Sequence, residues 1–96
     1  MRKITRDAVD AFYGGYNYKN SNTEVIHEGT ATVYLLHNNG IARRINDKIA
    51  ISLAGWNTNT TRERLNGLRG VKVTTKKGQA YLNGEKWDGE WITVNQ

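Results

Sequence analysis

Hydrophobic and polar positions follow a helical period at the start of the chain and a period of two through most of the remaining residues. Ile4, Ala8, Val9 and Phe12 recur at helical spacing, which predicts a short helix with Thr5 as its cap and Gly14-Gly15 as its stop. The next tract, YNYKNSNT, is polar and turn-forming and reads as a loop anchored by Tyr16 and Tyr18. From residue 23 the period falls to two. Val25 and His27 alternate with Ile26 and Glu28, and Ala31, Val33 and Leu35 alternate with Thr32, Tyr34 and Leu36. Asn38-Asn39-Gly40 tolerates positive φ and predicts a hairpin into IARRI, and Asn46-Asp47 predicts a turn into KIAISLA. Residues 23–53 therefore read as an antiparallel meander of about four strands.

A second helix is expected near Thr60. Thr60-Thr61-Arg62-Glu63 has the form of a capping box, and Gly67 is placed to be a left-handed stop. A helix of about two turns is not stable alone, so Thr61, Leu65 and Leu68 must bury one face. Residues 71–94 read as tight hairpins: VKVTT, QAYL, EKW and EWITV, separated by KKG, Asn83-Gly84 and Asp88-Gly89. EKW is short enough to be a turn extension. Tyr81, Trp87 and Trp91 suit cross-strand pairing, and the two tryptophans, four residues apart, are expected to share a face. The fold class predicted is α+β, a mainly antiparallel twisted sheet of meander and tight hairpins with two short helices on one face. Residues 1–96 are expected to form a single globular domain.

Composition narrows the chemistry. The 96 residues contain no cysteine, which removes disulfides, thiolate metal sites and thiol catalysis. No apolar run approaches the roughly 20 residues of a membrane span, and the basic opening is followed by Asp7 and Asp10 instead of an apolar signal core. A cytoplasmic protein without a membrane partner is the expectation.

Charge adds a location. The formal net charge is +5, and residues 59–77 hold Arg62, Arg64, Arg69, Lys72, Lys76 and Lys77 against the single acid Glu63, which accounts for the whole excess. Excess charge confined to one segment focuses potential. These six cations are candidate phosphate or acidic-partner contacts, with Trp56 as a candidate stacking group and Thr61 as a hydroxyl donor near the helix start. A charge run on a capped helix and a lysine turn is also ordinary solvation, and on a helical wheel Arg62 and Arg64 flank the Leu65 stripe on opposite sides. A helix-turn-helix is excluded, because the two expected helices are separated by about four strands and the second is too short for a major groove.

Catalytic patterns are missing: there is no P-loop, GxSxG, HExxH or DxDxDG segment. His27 and His37 stand ten residues apart with no ligand spacing and read as surface strand histidines. Glu85, Asp88 and Glu90 lie among turn residues and read as solvated. No cofactor and no metal is implied, and a non-enzymatic protein is expected.

AGWNTNTTRERLNGL and KKGQAYLNGEKWDGEW, joined to the opening helix and a TEV…YLLHNNGIARR ribbon, resemble small uncharacterised accessory proteins encoded by bacteriophages. The resemblance covers most of the chain and implies action in the cytoplasm of an infected bacterium. Two functions from different classes fit. One is a module that binds nucleic-acid backbone; the other is a modulator or inhibitor that binds an acidic host protein, of defence or metabolism. Both require the six cations to share one wall of the folded molecule.

Overall fold

The structure is a computed structural model and describes residues 1–94. Helix α1 (Lys3–Gly14) leads into β1 (Tyr18–Asn20), β2 (Thr23–Glu28), β3 (Ala31–Leu36), β4 (Asn39–Ile45) and β5 (Lys48–Ile51). Helix α2 (Asn59–Leu65) is followed by β6 (Val73–Lys76), β7 (Gln79–Leu82), β8 (Glu85–Lys86) and β9 (Ile92–Val94). The class is α+β, as expected, but the strands form two sheets. One has the order β1-β2-β3-β4-β5-β9 and the other β6-β7-β8.

Helix α1 begins before the expected cap. Arg2 takes the N-cap position without a side-chain bond, while Thr5 lies inside the helix and is fully buried. The paired glycines do stop it: Gly15 turns left-handed at φ 72° and its N–H donates to the Ala11 carbonyl at 2.8 Å. Arg44 adds a cation at the negative end of the helix, its Nε donating to the Phe12 carbonyl at 3.2 Å.

The four-strand meander forms as β2 to β5, and gains a strand at each edge. On one side the tract expected as a loop pairs: Tyr18, Lys19 and Asn20 lie opposite Val25, Glu24 and Thr23. On the other, the expected hairpin of EWITV with EKW does not form. The Gly89 carbonyl accepts from the Leu53 N–H at 2.9 Å and from Ser52 Oγ at 3.0 Å. That anchor carries the chain across, so Ile92, Thr93 and Val94 pair with Ile51, Ala50 and Ile49. A Cβ at Gly89 would stand 3.1 Å from Leu53 Cδ1 at a φ of +84°, so the approach needs glycine. The β3–β4 turn is also displaced from its expected place. His37 and Asn38 hold φ of 51° and 65°, and Asn39-Gly40 already belongs to β4.

Val25, Tyr34, Ala42 and Ile51 form one cross-strand row on the inner face of the large sheet. With Phe12, Leu65, Leu68, Val73 and Trp87 they belong to one buried cluster that runs through both sheets. The outer face leaves Ile26, Ile45 and Trp91 exposed. Trp87 is therefore core and Trp91 surface, and the two do not share a face.

Helix α2 is positioned by contacts that correct the sequence reading. Its cap is Thr58, whose Oγ1 accepts from the Thr61 N–H at 3.2 Å; Thr60 plays no such part, and Glu63 turns away to Thr5 and Arg64. Gly67 is not the left-handed stop. The C-cap is Asn66 in the right-handed region, and positive φ comes only at Gly70. Gly67 is instead where α1 presses: a Cβ there would meet Thr5 Cγ2 at 2.9 Å and Val9 Cγ2 at 3.0 Å. As expected, Thr61, Leu65 and Leu68 are buried. The Asn66 amide then bonds both the N–H and the carbonyl of Val73, at 2.6 and 3.0 Å, and so occupies the free edge of β6.

Candidate functional site

Arg64, expected at a surface, is the largest fully buried side chain among the described residues, with 1 % exposure. Its Nε donates to Thr23 Oγ1 and its Nη1 to Thr5 Oγ1, each at 3.1 Å, and it pairs with the Glu63 carboxylate. One guanidinium thus joins α2, α1 and β2. A fork of fixed donors suits that task, whereas a lysine would supply a single point charge. The buried Tyr34 phenol is held above its ordinary value of 10.0, first by burial, with the charge of Arg64 pulling in the opposite direction. Thr61 is likewise inside, 2 % exposed, its hydroxyl 3.0 Å from that of Thr58. Neither Arg64 nor Thr61 is placed to meet a macromolecule. The correction has one cause: a two-turn helix has little surface, and its inward stripe took the arginine along with the leucine.

The other cations of the segment divide between the two ends of β6. Arg62 is half-buried and its guanidinium donates to the side-chain carbonyls of Asn57 and Asn59. Asn57 in turn donates to Thr75 Oγ1 at 3.2 Å and to the Gly78 carbonyl at 3.4 Å. That chain of bonds sets Arg62 beside the Lys76-Lys77-Gly78 hairpin tip. At the opposite end, Arg69 stacks over the Tyr13 ring at 4.1 Å while its N–H donates to the Tyr13 hydroxyl at 2.9 Å. Lys72 lies next to it, its N–H held by Asn83 Oδ1 at 2.9 Å.

The register of the small sheet supplies what the sequence did not. Val71, Val73 and Ala80 point into the core, so Lys72, Thr74 and Lys76 point outward. Thr74 lies opposite Tyr81, and Tyr81 opposite Lys86. Lys72 and Lys76 are then diagonal neighbours of the half-buried Tyr81, and Lys86 is its direct neighbour. Tyr81 and Lys86 were not among the expected site residues. Asn83-Gly84, which does make the tight turn, was the signal that could have paired them. Among the described residues, Lys72, Lys76, Lys77 and Lys86 are all exposed and none pairs with a carboxylate. The nearby acid Asp88 instead accepts from the Glu90 N–H at 2.9 Å.

Trp56, 62 % exposed, stands at the mouth of a groove of 440 Å³. Leu36, Ile41 and Leu53 make its apolar lining and Asn39, Thr58 and Thr60 its polar rim. Asn57, bonded to the hairpin tip, follows Trp56 directly. The two histidines are not together: His27 Nδ1 is 2.8 Å from Thr32 Oγ1, whereas His37, in the β3–β4 turn, lines the groove. Among the described residues no three His, Asp or Glu side chains gather as a metal site would require, and no helix is long and apolar enough to cross a membrane.

No curated protein and no solved structure matches the chain. A family model does, described as Kyanoviridae Gp96 protein, and it spans residues 1–95. The resemblance to phage proteins read from the sequence is therefore correct, and the chain belongs to the Kyanoviridae Gp96 family of phage proteins.

Proposed function

We propose that the protein is a non-enzymatic module that binds nucleic-acid backbone through the outer face of the β6–β8 sheet, in the cytoplasm of the infected cell. The observation that carries the reading is the cluster of Lys72, Lys76 and Lys86 around Tyr81, continued by Lys77 at the hairpin tip, with no carboxylate partner among the described residues. Lysines act on phosphates as point charges, and each contact releases counterions, so affinity follows salt. A half-buried tyrosine among them offers a ring that tolerates any base. Four phosphate contacts give a log–log salt slope of about −3 on a single strand and about −4 on a duplex. Fluorescence anisotropy of labelled DNA and RNA across a salt series measures it. A flat response, or no binding at low salt, removes the reading.

A second reading has its own support. The exposed Ile26, Ile45 and Trp91 on the uncovered face of the large sheet, with Arg43 stacked on Trp91 at 4.4 Å, have the aromatic and arginine character of protein interfaces. In this reading the protein modulates an acidic host protein. Affinity capture from host lysate with and without nuclease separates the two: partners lost with nuclease favour the first, a stoichiometric nuclease-resistant protein the second.

A further inference from the structure

We propose that the groove beside Trp56 is a nucleobase site, which makes the preferred partner a single strand with unstacked bases. The inference rests on the nucleic-acid reading above and assigns it a second contact. Its volume of 440 Å³ falls among small-ligand pockets, which span about 300–1,000 Å³. The lining is the kind a base needs. Leu36, Ile41 and Leu53 give an apolar bed, and the exposed Trp56 indole at the mouth gives a ring to stack on. Edge recognition comes from the rim: the Thr60 hydroxyl has no hydrogen-bond partner among the described residues, and the Asn39 amide and the His37 ring stand at the same opening.

Charge decides between a base and other flat apolar groups. Asn57 follows Trp56 in the chain and bonds the Gly78 carbonyl, Thr75 and the Arg62 guanidinium. The segment that carries Trp56 is thereby bonded to the β6–β7 turn, where Lys77 is exposed. A strand with one base seated against Trp56 can run from there to Lys77 and along Lys76 toward Tyr81, so that its phosphates meet the exposed lysines. The bases of a duplex are stacked and paired, so they cannot enter.

The test compares a short oligothymidylate, an abasic oligonucleotide of the same length and charge, and the matching duplex. The readouts are anisotropy and tryptophan fluorescence. The proposal predicts that oligothymidylate binds at least about five-fold more tightly than the abasic strand, the lower end of one base–aromatic stack. It also predicts quenching that disappears in Trp56→Ala and an affinity that Trp56→Phe restores in part. Trp56 is mostly exposed, so both variants are expected to melt with the wild type. Equal affinity for the abasic and base-bearing strands overturns the nucleobase site and leaves backbone binding standing. Absence of binding to every oligonucleotide overturns both. A fluorescence change with an acidic, tyrosine-containing peptide and none with oligothymidylate gives the groove to a protein partner and overturns the proposal.

Discussion

The basic segment has two halves, and the fold treats them oppositely. In the first, Arg62 and Arg64 sit on α2: one guanidinium is buried among Thr5, Thr23 and Glu63, the other is tied to Asn57 and Asn59. In the second, Lys72, Lys76 and Lys77 sit on the β6–β7 hairpin and point to water. The residue type matches the use. A planar guanidinium can satisfy several acceptors at once where solvent is excluded, and an ammonium on a flexible stem is better left hydrated. Charge counted along the sequence therefore overstates the binding surface, because part of it is mortar between helices.

The largest effect expected from breaking this contrast is at Arg64. Arg64→Ala removes the donor to Thr5 and Thr23, leaves Glu63 with the Thr5 hydroxyl but without its cation, and opens a hole in the core. A loss of about 3–5 kcal/mol in denaturant unfolding is expected, a large share of the stability of so small a domain. Next is Gly67→Ala, which pushes a methyl against Thr5 and Val9 of α1; overpacking of this kind costs about 1–3 kcal/mol, read as a lower denaturation midpoint. Loss of the α2 cap is smaller. Thr58→Ala should cost about 1 kcal/mol by thermal melting, and Thr60→Ala little, since Thr58 and not Thr60 accepts from the Thr61 N–H. The lysines come last on this scale: single changes of Lys72, Lys76 or Lys86 to Gln should move stability by no more than about 0.5 kcal/mol.

The fold was legible wherever the deciding interactions are local. The period of two through β2–β5, the helix stop at Gly15 and the turns at Asn46-Asp47 and Asn83-Gly84 depend on a few neighbouring residues, and these were read correctly. The features that escaped depend on distant partners. Tyr18–Asn20 becomes a strand only because β2 is beside it, and EWITV leaves its neighbour because Ser52 and Leu53 hold Gly89. Thr5 and Glu63 both carry cap-like signatures but serve Arg64 across 59 and 1 residues of sequence. The candidate site was half visible for the same reason. Lys72, Lys76 and Lys77 stood out as a run, whereas Lys86 and Tyr81 join them only through cross-strand register.

The outward lysines bind and the inward arginine builds: that division is tested most directly by one variant, with Lys72, Lys76, Lys77 and Lys86 all changed to Gln. It is assayed for salt-dependent nucleic-acid binding and for melting temperature. Binding and its salt slope should vanish while the melting transition stays close to that of the wild type. Unchanged nucleic-acid affinity in the folded variant would contradict the division.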